Sequence, residues 1–172
     1  VLVLDMDPGE EAVYEGMIAE RFGIDRAAQD EFAVESHRRA ARAIDAGYFK
    51  DQIVPVEVKT RKGVQVFDTD EHVRRGLAVE DVAKLRPVFK RDGSVTAANA
   101  SGINDGAAAV VLMSGAEAER RGIRPMARIL SWGHAGVAPE VMGLGPIPAV
   151  PKALERAGLS VADLDVIESN EA

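Results

Sequence analysis

The residues best suited to chemistry lie in one stretch of the chain, TAANASGINDG, which runs from Thr96 to Gly106. Its small side chains let the backbone come close to a ligand, and its glycines and asparagines suit tight turns. The seven apolar residues that follow, Ala107 to Met113, carry no charge, which predicts a strand buried on both faces of a sheet. The pattern is typical of a loop that holds a ligand against a rigid scaffold, and equally of a tight turn into a core strand.

No set of side chains in the sequence has the spacing of a catalytic or metal site. The chain contains no cysteine, which excludes disulfides and a cysteine metal site. Ser36 and His37 are neighbours on a predicted helix, so their side chains point apart. Asp165, Glu168 and Glu171 are close together, but they are most simply explained as the solvated end of a strand. The residues therefore favour binding over catalysis.

The charge of the chain is acidic overall and basic in one segment. The net charge is −7, which argues against a nucleic-acid partner. Between Lys59 and Arg91, nine basic residues stand against five acidic ones, giving a local charge of +4. A basic segment in an acidic chain can attract an anionic ligand, or it can be an ordinary solvated surface.

Nothing in the sequence suggests a membrane segment. No apolar run approaches the ~18 residues that would cross a bilayer. The opening residues, VLVLDMDPGEE, lack the basic flank of a signal peptide. With no cysteine present, we expect a cytoplasmic protein without a membrane partner.

Before the loop, the sequence predicts helices and short strands. Asp7-Pro8-Gly9-Glu10 has the residues that begin a helix, and Gly23 ends it. A second helix begins at Asp25 and runs to about Ala46, where Gly47 stops it. The other predicted elements are the strands Ile53 to Val58 and Val64 to Phe67, the turn Lys59 to Gly63 between them, and a short helix, Val79 to Leu85.

After the loop, predicted strands and helices alternate as in α/β folds. Gly158 ends the second of the two helices, and Ser160 with Asp163 caps a further turn. The final strand has nothing after it to complete a βα unit, which is typical of a chain that has been cut. The helices are Gly115 to Arg121 and Ala149 to Ala157, and the strands are Ala107 to Met113, Ala127 to Trp132 and Asp165 to Ser169.

Several of these blocks, in order, resemble the thiolase family. NASGINDGAAAVVLMS, which begins at Asn99, resembles the signature near the middle of thiolase chains. An ordered series of blocks is a more specific match than one short motif, and the likeness is greatest to bacterial acetoacetyl-CoA thiolases, which are acetyl-CoA C-acetyltransferases. The other blocks are QDEFAVESHRRA (Gln29 to Ala40), FKDQIVPV (Phe49 to Val56), AKLRPVF (Ala83 to Phe89), VMGLGPIPAVPKAL (Val141 to Leu154) and SNEA (Ser169 to Ala172).

The resemblance implies an α/β, thiolase-like fold of which this chain holds the middle segment. Residues 1–103 would form the loop domain, with mixed helices and short strands and with residues that bind coenzyme A. Residues 104–122 would end the N-terminal α/β half with its last strand. Residues 123–172 would start the C-terminal α/β half.

The resemblance also implies an acyltransferase that works by Claisen condensation or by thiolytic cleavage of 3-ketoacyl-CoA. In the family, one cysteine carries the acyl group, while a second cysteine and a histidine in a Gly-His-Pro motif complete the catalytic set. These residues lie upstream and downstream of the matched region. His134 follows Gly133, but Ala135 comes next, so the motif is absent. We therefore expect the 172-residue chain alone to be inactive.

The resemblance assigns ligand-binding roles residue by residue. Arg74 would lie near the adenine and phosphates of coenzyme A, Ser101 would hydrogen-bond the pantetheine, and Asn170 would hold the water of an oxyanion hole. CoA or acyl-CoA would be the substrate, with no permanently bound cofactor and no metal, in a homo-oligomer (dimer or tetramer) of fatty acid metabolism. Phe89, Ala97 and Ile103 would line the pantetheine tunnel, Met142 would face the acyl end, and Ala172 would lie beside Asn170.

The sequence departs from the family pattern near its start. Ungapped alignment places Glu10, Glu11 and Ala12 where the family has His, Met and Gly, and residues 14–17 replace Thr-Ala-Glu-Asn. An acid beside a polyanion is unfavourable. Two alternatives remain at this stage: a stand-alone or degenerate acyl-CoA-binding module without catalysis, and a structural subunit whose partner supplies catalysis.

Overall fold

The computed structural model describes residues 16–102, 104 and 106–170 of the chain. The chain divides into two compact units, Val1–Gly102 and Ile103–Ala172. The predicted helix start at Asp7 and the departures at residues 10–15 lie outside the described residues, as do Ile103, Glu171 and Ala172. The predicted three-part division at residues 103 and 122 stays a prediction.

Three helices organise the first unit, and their ends follow local sequence signals. Helix α1 is described over residues 16–22 and ends at Gly23, as predicted. Helix α2, Arg26–Asp45, begins where the Asp25 carboxylate accepts the backbone N–H of Ala28 at 2.8 Å. Helix α3, Val79–Val82, is shorter than the predicted span to Leu85. The backbone N–H of Leu85 instead closes a single turn on the carbonyl of Val82 at 3.0 Å.

The described residues contain one sheet, an antiparallel hairpin of β1, Val56–Thr60, and β2, Gly63–Phe67. The register pairs Val56 with Phe67 and Thr60 with Gly63. The hairpin was predicted, but β1 starts later than Ile53 and extends beyond Val58. Only two residues, Arg61 and Lys62, connect the strands. The Thr60 hydroxyl closes this tight turn by donating to the carbonyl of Gly63 at 2.8 Å. Both strands are exposed along their whole length.

The core of the first unit surrounds the small-residue loop. Its buried apolar side chains come from α1, from α3, from the residue just before the loop and from the loop itself. Two polar residues are buried with them, Asp30 on α2 and Thr96 in the loop. Phe32 on α2 is 58% exposed, because the inward face of the helix runs through Asp30 and Ala33 instead. The buried apolar residues are Ala19, Val82, Val95 and Ala98.

In the described residues of the second unit there are two α-helices, α4 and α5. Helix α4, Gly115–Arg120, is capped by Ser114, whose hydroxyl accepts the N–H of Glu117 at 3.2 Å. Helix α5, Pro146–Ala157, starts three residues before the predicted Ala149, because proline suits the first helical position. Gly158 ends α5 in the left-handed conformation, as predicted. Two 3-10 turns, Pro139–Leu144 and Val161–Asp163, precede and follow α5.

The predicted cap after α5 is confirmed. The backbone N–H and the hydroxyl of Ser160 both donate to the Asp163 carboxylate, at 2.8 and 2.7 Å. Ser160 and Asp163 therefore form a capping box on the second 3-10 turn. These hydrogen bonds lower the pKa of Asp163.

The three strands predicted after the loop are absent, and those predictions are wrong. Residues 107–113, 127–132 and 165–169 are neither helix nor strand. Val111, predicted to be buried on both faces of a sheet, is 86% exposed. Apolar composition correctly marks a segment suited to a sheet, but a strand also needs a neighbour to pair its backbone groups. Among the described residues, none pairs with these segments.

Candidate functional site

The small-residue loop forms a tight turn, as its composition predicts. The Thr96 carbonyl accepts backbone N–H groups from Asn99 and Ala100, at 3.3 and 3.0 Å. Thr96 is fully buried, and its hydroxyl accepts the N–H of Ala98 at 3.3 Å. Ala97 and Ser101 are the exposed members of this turn. The loop therefore presents two of the predicted coenzyme A-binding residues from a closed, buried base.

Asn99 closes the turn with its side chain. Its carbonyl oxygen accepts the backbone N–H of Thr96 at 2.7 Å, and its NH₂ group donates to the carbonyl of Ser94 at 3.0 Å. The same NH₂ group donates to the Asp30 carboxylate on α2, also at 3.0 Å. An asparagine amide has two donor hydrogens and one acceptor oxygen, and all are used here. The orientation of Asn99 is thus fixed by the loop and by α2 together.

Asp30 is a buried carboxylate with a compensating charge. Its side chain is 1% exposed, and the Arg26 guanidinium donates to it at 2.7 Å. Arg26 also donates to the carbonyls of Val82 and Leu85, at 2.8 and 3.0 Å. A buried charge is tolerated when it is paired and its hydrogen-bonding positions are filled. Asp30 thereby ties the loop, α2 and the end of α3 into one polar network.

Sequence reasoning missed this network. The spacing of residues could have indicated that Asp30 faces inward. Asp30 stands three residues before Ala33 and seven before His37, which places it on the same face of α2 as these two partly buried residues. Arg26, four residues before Asp30, was a second signal, since that spacing pairs opposite charges on a helix. Asn99 is 69 residues away from Asp30, so no local pattern indicates their contact.

Arg74 is also held on α2. Its backbone N–H donates to Nδ1 of His37 at 3.3 Å, while the side chain of Arg74 is exposed. His37 is only partly exposed, and its ring lies 5.9 Å from that of His72. Burial lowers the pKa of His37, with smaller contributions from the charges of His72 and Arg74. The seven residues from Asp30 to His37 span about 10 Å of helix.

Arg74 keeps its charge available within the basic segment. One guanidinium nitrogen of Arg75, Nη1, donates to both carboxylate oxygens of Asp45, at 2.7 and 2.8 Å. Lys84 pairs with Asp81, and Lys90 pairs with Glu20. Among the residues that the structure describes, Arg74 has no such acidic partner. An anionic ligand would therefore meet an uncompensated guanidinium at Arg74.

Phe89 lines a shallow cleft between α1 and the segment before the loop. Its side chain is 44% exposed. Met17, Lys90, Ser94 and Val95 share the lining. The backbone N–H of Val88 donates to the carbonyl of Val95 at 3.0 Å and holds this segment beside the loop. Phe89 therefore lies beside the residues that lead into the loop, but neither Ala97 nor Ser101 is among the residues that line this cleft.

The remaining predicted site residues belong to the second unit or lie outside the described residues. Met142 is partly buried in the first 3-10 turn, and its carbonyl accepts the N–H of Gly145 at 2.9 Å. Asn170 is exposed. Ile103 and Ala172 lie outside the residues that the structure describes. The roles of all eight predicted residues stay predictions.

The described residues contain neither a candidate metal site nor a candidate membrane span. No group of three or more histidine or acidic side chains there is placed to hold a metal ion. Within the same part of the chain, no helix combines the length and apolarity that crossing a membrane requires.

Comparison with protein families matches two thiolase models to the chain. The model described as "Thiolase, N-terminal domain" matches residues 10–116, and the one described as "Thiolase, C-terminal domain" matches residues 123–172. Together the two matches cover residues 10–172 except for 117–122. The motif-based resemblance to this family is confirmed.

Similar curated proteins carry thiolase names. The chain is 66% identical over 156 residues to beta-ketothiolase BktB of Cupriavidus necator, and 57% identical over 155 residues to acetyl-CoA acetyltransferase of Rhizobium meliloti. Each alignment covers 90% of this chain, but only 40% and 39% of the respective relative. The chain thus spans about two fifths of the length of the relatives it matches.

Solved thiolase structures have the same fold over the region compared. The structure of Bacillus anthracis acetyl-CoA acetyltransferase matches with a TM-score of 0.81 and 47% identity. Human mitochondrial 3-ketoacyl-CoA thiolase matches with a TM-score of 0.82 and 44% identity. Each match covers 96% of this chain and about 40% of the solved one. The predicted α/β, thiolase-like fold is confirmed as part of that fold.

Proposed function

The chain belongs to the thiolase family, and from that premise we propose that it supplies the coenzyme A-binding part of a thiolase-type acyltransferase. The reaction would be that of an acetyl-CoA C-acetyltransferase: two acetyl-CoA molecules condense to acetoacetyl-CoA and free CoA, or the reverse. The observation that carries the proposal is the shared support on α2. One helix holds both the loop that bears Ser101 and the backbone of Arg74.

The chemistry of coenzyme A fits the groups that this region presents. The ligand is a polyanion at its nucleotide end and a slender, weakly polar arm at its pantetheine end. The exposed guanidinium of Arg74 suits the phosphates, and the small residues of the loop leave room for the arm. The Ser101 hydroxyl would hydrogen-bond the pantetheine, with Phe89, Ala97 and Ile103 alongside.

In the second unit, Met142 would face the acyl group, and Asn170, beside Ala172, would hold an oxyanion-hole water.

Catalysis by the 172 residues alone is not part of the proposal. Thiolase chemistry uses a thiolate to carry the acyl group, and the sequence contains no cysteine. We expect the purified 172-residue chain neither to condense acetyl-CoA nor to cleave acetoacetyl-CoA. Protein-dependent turnover that survives repurification would contradict this expectation.

The alternative is a stand-alone or degenerate acyl-CoA-binding module without catalysis, and the 172 residues are compatible with both because they contain no cysteine. The two functions share the same site and differ in the rest of the protein. Coding sequence on either side of this chain would distinguish them. A cysteine upstream, with a Gly-His-Pro motif and a second cysteine downstream, would establish the acyltransferase.

The site itself is tested by titration calorimetry of the 172-residue chain with CoA. Arg74→Ala should weaken binding, and the loss should shrink as salt is raised, because the lost contact is between charges. Ser101→Ala should weaken binding about fivefold, which corresponds to one neutral hydrogen bond of about 1 kcal/mol. Arg61→Ala, in the exposed hairpin turn, removes the same charge elsewhere in the basic segment and should change the affinity little. Unchanged affinity in both Arg74→Ala and Ser101→Ala would refute the site.

A further inference from the structure

Asp30 is a charged residue in a buried position. It is a carboxylate on a helix, 1% exposed, in a unit whose other buried side chains are mostly small and apolar. Burying a carboxylate is costly even when it is paired. The residues that Asp30 contacts are therefore a guide to what the burial achieves.

The two oxygens of Asp30 serve different partners. One accepts from the Arg26 guanidinium at 2.7 Å, and the other accepts from the Asn99 NH₂ group at 3.0 Å. Arg26 is itself fixed by the backbone carbonyls of Val82 and Leu85. The Asp30 carboxylate thus connects α2 and α3 to one side chain of the loop, that of Asn99, and holds it in place.

Asn99 in turn sets the shape of the loop from within. It accepts the N–H of Thr96 and donates to the carbonyl of Ser94. Ser101 follows two residues later, directly after the two N–H groups that Thr96 accepts. The position of the Ser101 backbone therefore depends on the turn that Asn99 holds closed.

We propose that Asp30 is a positioning residue for coenzyme A binding, which acts through Asn99 to fix the loop that presents Ser101. The inference rests on the proposed function, because Ser101 is its point of contact with the ligand. Asp30 does not touch the ligand in this proposal. Its role is to hold the loop before the ligand arrives, so that binding does not require the loop to be ordered.

Asp30→Asn tests the role with almost no change in volume. Arg26 and Asn99 donate to different oxygens of Asp30, so an amide at position 30 places an NH₂ donor against the donor of one of these two partners. Asn99 cannot turn its amide to adapt without losing its bonds to Thr96 and Ser94. Glu35→Gln is the matched control, since Glu35 is a carboxylate on the same helix whose partners, Arg38 and Arg39, are exposed.

Two measurements on the 172-residue chain test whether Asp30 has this positioning role. Hydrogen exchange should speed up at the amides of Thr96, Asn99 and Ala100 in Asp30→Asn and stay unchanged in Glu35→Gln. Titration with CoA should show a loss of affinity of up to about fivefold in Asp30→Asn, the value of the single hydrogen bond that depends on the loop. If Asp30→Asn does not fold, Asn99→Ala breaks the same connection from the loop side and is measured in the same way.

A double-mutant cycle separates positioning from general destabilisation. If Asp30 acts through Ser101, adding Asp30→Asn to Ser101→Ala should leave the loss near fivefold, whereas independent effects would multiply to about 25-fold. Multiplying effects would overturn the proposal, as would unchanged exchange in the loop or unchanged affinity in Asp30→Asn. If Ser101→Ala alone leaves the affinity unchanged, the proposed site fails and the positioning role fails with it. If Ser101→Ala weakens binding and Asp30→Asn does not, only the positioning role fails.

Discussion

Single residues on α2 connect parts of the chain that are far apart in sequence. Asp30 reaches Asn99, and His37 reaches the backbone of Arg74. Both contacts use a side-chain acceptor on the helix and a donor on a loop. The candidate site is therefore built on a rigid helix, while the residues that would touch the ligand are on the loops that the helix holds.

His37 gives a prediction at this scale, because its Nδ1 must stay unprotonated to accept the N–H of Arg74. Burial, then the charges of His72 and Arg74, lower the pKa of His37 below the usual 6.5, against the opposing charge of Asp70. The unfolded chain therefore binds the proton more readily. The contribution of His37 to folding is present in full above pH 6.5 and is lost as the pH falls through the lower folded-state pKa.

An NMR titration of the histidine rings would test this prediction. We expect His37 to titrate below 6.5, with the amide of Arg74 shifting in the same pH range. His72→Gln should raise the pKa of His37, but only partly, because burial is the larger cause. A His37 that titrates at or above its usual value, or an Arg74 amide that does not respond, would show that the contact is absent in solution.

Residue-level signals were reliable where their partners are local. The start of α2 at Asp25, the end of α5 at Gly158 and the cap formed by Ser160 and Asp163 were all predicted and are all confirmed. Each depends on residues within about one helical turn. The pairing of Asp30 with Asn99 was missed, because it depends on how the chain folds back over 69 residues.

Elements were predicted well as helices and poorly as strands. Each predicted helix is helical at the centre of its described part, because a helix pairs its backbone N–H and C=O groups within itself. The hairpin was found because its two strands are adjacent in sequence and pair with each other. The strands predicted at 107–113, 127–132 and 165–169 had no such neighbour, and their apolar character alone did not produce a sheet.

The segment after Leu130 shows what replaces strand pairing in the second unit. Ser131 donates to the carbonyl of Ala153, and Arg156 donates to the carbonyl of Trp132 at 2.7 Å. The next residue in the chain, Gly133, lies directly against α5. A Cβ at Gly133 would lie 2.3 Å from the carbonyl oxygen of Ala149 and 2.9 Å from the backbone nitrogen of Ala153.

Gly133→Ala should therefore destabilise the second unit. The obstructing atoms belong to helix backbone, which cannot move aside as a flexible side chain can, so overpacking should cost about 1–3 kcal/mol. Gly136→Ala is the matched control, because a Cβ there would meet nothing within 4 Å. Urea denaturation followed by the fluorescence of Trp132 would compare the two variants. Equal midpoints would mean that the close approach of this segment to α5 does not exist in solution.

At the scale of the whole molecule, the described surface carries many exposed apolar side chains. Val110, Val111 and Leu112 are 80%, 86% and 72% exposed, and Val166 and Ile167 are 84% and 65% exposed. The sequence indicates that these segments suit a sheet interior, and the structure leaves them uncovered within the described residues. Uncovered apolar segments with unpaired backbone groups recruit other chains.

The 172-residue chain should therefore self-associate in solution, and residues 107–113 should be a main cause. Light scattering should show particles larger than a monomer, growing with concentration, and hydrogen exchange should show little protection across this segment in the dilute chain. Residues 26–45 should be better protected, because α2 satisfies its backbone locally. Val110→Glu should reduce the association, because a charge opposes burial between chains.

Val54→Glu is the control for this variant. Val54 is the same residue type at the same 80% exposure as Val110, but it lies before the observed strand β1 and beside Pro55, which has no backbone N–H to pair with a neighbouring strand. Exposure alone would make the two substitutions equally effective, whereas sheet-like pairing between chains would make Val110→Glu the stronger one. A monodisperse monomer with strong amide protection across residues 107–113 would overturn the prediction, because it would mean that the segment is buried and paired within a single chain.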